Sequence, residues 1–222
     1  MFVFLIFHPF VVDGDTFYFH NVKFRLYGLN APERGSICYY EATKALKDFF
    51  KNKVQGIIIG KDRFGRKLVL LWSKVGSVAS YLFSRGLAIP YPYEAPPVAL
   101  GYLVDALRAW EPGCLFKKGD VVVKLVTFTY NPPGPDYEKI VLSSRDVQTV
   151  TLLNKRWKEV TVTLTPGTQT VTVTNFLGNR GDVLIVHVSR TIQALVAYVP
   201  KAFTLTVHPG ETWDRLRGSS SR

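Results

Sequence analysis

The chain has 222 residues, 47% of them apolar and 20% charged, with a formal net charge of +11 and a pI near 9.7. That length exceeds one ordinary domain and suits two, and the apolar share excludes a disordered polar chain. No segment approaches the ~18 consecutive apolar residues of a membrane-spanning helix, and the positive charge favours an anionic partner without identifying one.

The opening MFVFLIFHPF has no basic leader and no small-residue cleavage site before the polar stretch at Asp13 to Thr16, so it reads as a first strand rather than a signal peptide. Localisation stays open, since secretion remains compatible with a start further upstream. Strand-like runs continue to Phe24, broken by the Asp13-Gly14-Asp15 turn and by His20-Asn21 as a hairpin, before the strand Arg25-Leu26-Tyr27. From Tyr39 to Asn52 the period becomes helical, with Ala42, Ala45, Leu46, Phe49 and Phe50 on one stripe and Lys44, Lys47 and Lys51 opposite.

Ile57 to Ile59 and Leu68 to Trp72 flank the charged KDRFGRK segment, which predicts a hairpin whose loop carries Asp62, Arg63 and Arg66. Ser77 is placed to cap a second helix through Phe83, with Gly86 in the left-handed position behind it. A third helix follows Pro96-Pro97 and stops at Glu111-Pro112-Gly113. Cys38 and Cys114 are too few and too far apart for a zinc cluster or a disulfide framework. Two buried thiols are the expectation, and a bridge between them would need Cα atoms closer than about 7 Å.

After Lys118 the helical period is gone. Val- and Thr-rich runs recur at the spacing of a sandwich, punctuated by Pro132-Pro133-Gly134, Pro166-Gly167 and Gly178 to Gly181. The reading is therefore two domains, residues 1–118 mixed and 119–222 all-β, with a small polar tail at Arg217 to Arg222 that frays.

Several clusters of the first half carry chemistry. Asp15, in the Asp13 to Thr16 turn, offers a hard oxygen to calcium or magnesium. Arg25 lies inside a strand, where a guanidinium needs a carboxylate or a phosphate to meet its planar fork. Asn30 and Glu33 leave that region on either side of Pro32, Arg63 and Arg66 flank a glycine loop, and Tyr91 and Tyr93 follow as hydroxyl donors and stacking surfaces. Taken singly each has an ordinary structural reading. Together they contain what phosphodiester cleavage requires: a cation and fixed donors for the equatorial oxygens, and a base that delivers water in line.

The motifs DGDT, FRLYGLNAPE, YYEATKAL, DRFGR and GLAIPYPY, in that order, resemble the thermonuclease (staphylococcal-nuclease-like) family over roughly Phe2 to Lys118. The resemblance implies an α+β, OB-type five-stranded barrel with three helices, and calcium-dependent hydrolysis of DNA and RNA that leaves 3′-phosphate ends. It implies Asp15, Asn30 and the Ala31 carbonyl as metal ligands, Arg25, Glu33 and Arg66 as catalytic groups, and Arg63, Tyr91 and Tyr93 as lining of the substrate cleft. Two departures stand out. Asn30 occupies a position where the family has an aspartate, which removes one ligand charge, and Phe64 stands where a tyrosine is common.

The second half is similar to lamin-tail domains through VKLVTFTYNPPGPDYEKIVLSS, LLNKRW, LTPGTQTVTV and GNRGDVLIV. That similarity implies an immunoglobulin-like sandwich needing no disulfide, and a role in holding a protein or surface partner. The competing expectations are a catalytically weak barrel that only binds nucleic acid or protein, and a scaffold protein led by the sandwich.

Overall fold

The computed structural model of the protein describes residues 3–129 and 137–207. The Pro132 to Gly134 turn and the Arg217 to Arg222 tail expected above lie outside them. The described residues are mostly β with three helices, and the chain divides into two compact units. The first runs to Tyr91 and resumes over Ala95–Leu115; the second takes Pro92–Glu94 and the chain from Phe116 onward.

In the first unit the strands are β1 (Val3–Ile6), β2 (Phe10–Val11), β3 (Thr16–Phe19), β4 (Val22–Leu26), β5 (Leu29–Asn30), β6 (Val54–Lys61), β7 (Lys67–Ser73), β8 (Gly76–Ser77) and β9 (Ile89–Pro90). Its main sheet has the order β1-β6-β7-β4-β3-β2, with β8 beside β7, while β5 and β9 pair separately. The end strands β1 and β2 are consecutive in the chain, so one segment, bent at Phe7-His8-Pro9, supplies both rims of the sheet. His8 takes φ 48° in that bend. The β3–β4 hairpin turns on His20 and Asn21 at φ 46° and 59°, the two positive angles that a two-residue turn matching the strand twist demands.

Side chains alternate across this sheet as the pleat requires. Phe17, Phe24 and Leu26 point inward and are buried, with the Phe17 and Phe24 rings stacked at 5.2 Å. Helix α1 (Tyr39–Phe49) buries Ala42, Ala45, Leu46 and Phe49, the stripe read from its period. Helix α2 (Val78–Phe83) starts at Ser77, whose hydroxyl accepts the Ser80 N–H at 3.0 Å. Helix α3 (Pro97–Leu107) opens on proline, which has no N–H to leave unsatisfied.

The cysteines correct the sequence reading. Cys38 and Cys114 are not two thiols; they form a disulfide, with Cα atoms 5.9 Å apart across 76 residues. What brings them together is tertiary. Glu111 and Leu115 donate backbone hydrogen bonds to the carbonyls of Phe83 and Gly86 at 3.0 and 3.1 Å. Gly86, at φ 56°, and Gly113 meet backbone to backbone with no room for a Cβ on either. The segment ending at Cys114 is thereby laid along the end of α2, while Cys38 starts α1 in a left-handed conformation.

The second unit holds two sheets. One has the order β10 (Val123–Thr129), β11 (Tyr137–Ser144), β14 (Gly167–Thr174). The other runs β13 (Glu159–Leu164), β12 (Gln148–Asn154), β15 (Asp182–Val188), β16 (Thr191–Val199), β17 (Phe203–Val207). Val123, Ile140 and Leu142 of the first and Val150, Leu152, Leu184 and Val196 of the second share one buried core, so the sheets face each other as a sandwich.

Candidate functional site

The turn before β3 is tied by its own polar groups. Asp13 Oδ1 accepts the Asp15 N–H at 3.0 Å, and the Thr16 carbonyl accepts the Val12 N–H at 2.9 Å. Gly14 is obligatory here, because a Cβ would fall 2.7 Å from the Ala31 Cβ and 2.8 Å from the Ala42 Cβ. This packing presses Asp15 into the interior, where its carboxylate is 3% exposed for the residue as a whole.

Three residues, Arg25, Thr16 and Ala31, tie that carboxylate and its neighbour Asn30 with four hydrogen bonds. Arg25 Nη1 donates to Asp15 Oδ1 at 2.8 Å, and Thr16 Oγ1 donates to the same oxygen at 2.8 Å. The Ala31 N–H donates to Asp15 Oδ2 at 3.1 Å, and Arg25 Nη2 donates to Asn30 Oδ1 at 3.0 Å. One guanidinium thus spans the two side chains that the sequence reading assigned to a metal. Burial pushes the Asp15 carboxyl up to about 6; Arg25 pulls it down and the nearby Asp13 adds to the rise. Desolvation outweighs the ion pair, so the carboxylate's charge is incompletely compensated in this pocket.

β4 and β5 set this geometry. Arg25 alternates with the core residues Phe24 and Leu26, so it leaves the sheet on the outer face. β5 pairs with β9, Asn30 opposite Ile89, and the Tyr91 N–H donates to the Gly28 carbonyl at 2.8 Å. The Tyr91 ring consequently lies 5.7 Å from the Arg25 guanidinium carbon.

β4 and β7 are parallel, with Arg25 opposite Leu68, and Arg66 lies in the turn that leads into β7, closed by the Asp62 N–H on the Arg66 carbonyl at 3.0 Å. Its Nε donates to Asp62 Oδ2 at 2.6 Å, while Asp62 Oδ1 accepts the N–H groups of Phe64 and Arg66 at 2.8 and 3.0 Å. Partial burial acts upward on the Asp62 carboxyl, but these hydrogen bonds prevail and hold it below the usual range. Arg63 is exposed, its guanidinium carbon 4.7 Å from the centre of the 68%-exposed Phe64 ring.

Glu33 is exposed, in a turn closed by the Ser36 N–H on the Glu33 carbonyl at 2.9 Å, with Gly35 at φ 87°. Among the described residues, no hydrogen bond links Glu33 or Arg66 to the Asp15 cluster. Tyr91 and Tyr93 flank a boundary between the two units. Tyr91 belongs to the first unit and Pro92–Glu94 to the second, where the Pro92 carbonyl accepts from Lys155 Nζ at 2.9 Å and the Glu94 N–H donates to the Arg180 carbonyl at 3.0 Å.

Sequence reasoning gave no role to Thr16, which bonds Asp15 directly, or to Asp62, which aims Arg66. The DGDT and DRFGR motifs contained both, so the signal was adjacency to an assigned residue. The donors Asp15, Asn30 and the Ala31 carbonyl fit a hard cation in kind, being oxygens of a carboxylate, an amide and a peptide. A groove between β7, α2 and α3, lined by Trp72, Ser77, Tyr102 and Asp105, shares no residue with this cluster. No family model matches the chain, and no curated protein matches it.

Proposed function

We propose that the first unit is a phosphodiester hydrolase acting on DNA or RNA with little sequence preference, built on an OB-type barrel of the staphylococcal-nuclease kind. In the same reading the second unit is an immunoglobulin-like accessory domain that holds a protein or surface partner. The observation that carries the catalytic reading is the Arg25 guanidinium held across Asp15 and Asn30.

A guanidinium has five N–H donors. Arg25 commits two of them to Asp15 and Asn30, and Arg66 commits its Nε to Asp62, so both retain donors for phosphate oxygens. These fixed charges stabilise the trigonal-bipyramidal phosphorus, where negative charge builds on the equatorial oxygens. Glu33, exposed and close to Asn30 in sequence, takes a proton from the attacking water. The water oxygen bonds phosphorus as the bond to the 5′ oxygen breaks, and the leaving 5′ oxygen is protonated, giving a 3′-phosphate end. Asp15, Asn30 and the Ala31 carbonyl would hold calcium, which would supply Lewis-acid charge when bound. Tyr91, beside Arg25, and the exposed Arg63 extend contact to neighbouring nucleotides, and Tyr93 is proposed for the same lining.

Purified protein incubated with single-stranded DNA and calcium is expected to yield short fragments, and chelator to stop it. Glu33→Ser and Arg66→Gly each lower turnover by at least about 10² with circular dichroism unchanged, the scale of losing one transition-state group. Wild-type rates in both variants remove the mechanism. Asn30→Asp, which adds a ligand charge, is expected to tighten calcium binding in calorimetry; unchanged affinity means the cation is held by other residues.

A further inference from the structure

Across the outer face of β2, β3 and β4 three side chains form one row. Phe10 stands opposite Tyr18, and Tyr18 stands opposite Lys23. Their neighbours Val11, Phe17 and Phe24 fill the core, so alternation turns this row outward. Phe10 is 71% exposed and Tyr18 38%. The Lys23 ammonium lies 5.6 Å from the centre of the Tyr18 ring. The next row along the same strands, about 7 Å away by strand rise, is Thr16 opposite Arg25.

We propose that this row is a stacking track for unpaired nucleotides of single-stranded nucleic acid, leading to Arg25. The inference rests on the reading of Arg25 as a phosphate-binding group. Single exposed apolar residues need no explanation. Two aromatic rings directly opposed across a ladder are different, because β2 is the short last strand of its sheet, a place where charge rather than apolar surface normally blunts association. The chemistry matches a nucleotide in both of its parts. A base has a π-face that stacks on Phe10 or Tyr18 whatever its identity, and its phosphate is met by Lys23 in the same row and by Arg25 in the next. An apolar protein partner is a poorer fit, since it would bury the Lys23 ammonium without an anion, and the chain's net charge of +11 favours a polyanion.

The test uses the full chain in chelator, so that binding is read without cleavage, and fluorescence anisotropy with two labelled probes of equal length and charge. One is oligo(dT); the other carries abasic tetrahydrofuran sites throughout. Phe10→Ala and Tyr18→Ala are each expected to weaken oligo(dT) binding by about tenfold and to leave abasic binding within about twofold. Lys23→Gln weakens both probes and reduces the slope of log affinity against log salt by about one.

Aromatic variants that bind oligo(dT) like wild type overturn the proposal, as do equal losses on both probes. So does a wild-type dimer in sedimentation that Phe10→Ala dissociates, which assigns the face to a second copy. The catalytic reading fails separately. A chain that stacks oligo(dT) in chelator yet never cuts it in calcium retains the track and loses the hydrolase; a chain that cuts, with Phe10 and Tyr18 immaterial to binding, loses only the track.

Discussion

Each unit buries a carboxylate near a cation, Asp15 beside Arg25 and Asp182 near Lys155, and the two are built differently. Asp15 and Asp182 are 3% and 2% exposed, and burial pushes both carboxyls up. Asp15 is met mainly by side chains, Arg25 and Thr16, with the Ala31 N–H as its backbone donor. Asp182 is met by the backbone: the N–H groups of Lys155, Val183 and Gly178 donate to it at 2.9, 2.8 and 2.8 Å. Lys155 follows the same pattern, its ammonium donating to the carbonyls of Pro92 and Gly181, and burial lowers its pKa. A carboxylate that closes a loop through peptide N–H groups can exchange none of them without unfolding that loop. A carboxylate held by a guanidinium and a hydroxyl can trade partners by rotating side chains. Asp182 is therefore a staple, and Asp15 has the construction of a site.

The largest difference between the units is covalent. Only the first carries a disulfide, and closing a loop of 76 residues stabilises the native state by about 4 kcal/mol in the chain-entropy account. Cys38→Ser with Cys114→Ser, or reduction of the native bridge, is expected to lower the first unit's denaturation midpoint by that scale. The sandwich transition stays where it was. Parallel shifts of both transitions in calorimetry show instead that the units unfold as one.

Next in size is Asp182→Ala. It strands three peptide N–H groups and leaves the Lys155 ammonium without the neighbouring anion, at a cost of about 3 kcal/mol. Asp15→Ala removes a carboxylate whose burial is unfavourable and leaves Arg25 on Asn30, so its stability loss is expected to be well under half of that, with activity abolished. Equal destabilisation by the two substitutions, measured by urea unfolding, erases the distinction between staple and site.

What the sequence disclosed follows the same line between local and tertiary causes. Ser77 as a helix cap, His20-Asn21 as a turn with two positive φ angles, and the buried stripe of α1 depend on neighbours a few residues away, and each was legible. So were the settings of Asp15 in a tight turn and of Arg25 inside a strand, because strand alternation and turn chemistry belong to short motifs. The Cys38–Cys114 bridge was left open with two thiols preferred, since it depends on Gly86 meeting Gly113, a contact that no local pattern announces. Arg25 spanning Asp15 and Asn30 required the pairing of β3 with β4 and of β5 with β9. The capture of Pro92–Glu94 by the second unit depends on Lys155, some sixty residues further along. Lys155 itself resembled any other lysine in a basic chain; its burial is set by the strands around it.

The smallest expected effect probes a buried group of the sandwich that is neither staple nor site. His187 is 8% exposed on β15, its Nδ1 accepts the Arg190 N–H at 3.3 Å, and burial lowers its pKa. The folded chain therefore keeps the imidazole neutral at a pH where the unfolded chain already binds a proton. Stability from this group is present above the unfolded value of 6.5 and declines as pH falls through it toward the lower folded value. The sandwich midpoint should fall modestly between neutral and mildly acid pH. His187→Asn keeps an acceptor for the Arg190 N–H but cannot titrate, so it should flatten that fall while leaving the first unit's pH profile untouched. An identical slope in the variant means that the acid sensitivity of the sandwich arises from groups other than His187, and not from Asp182, whose raised carboxyl acts in the opposite direction as pH falls.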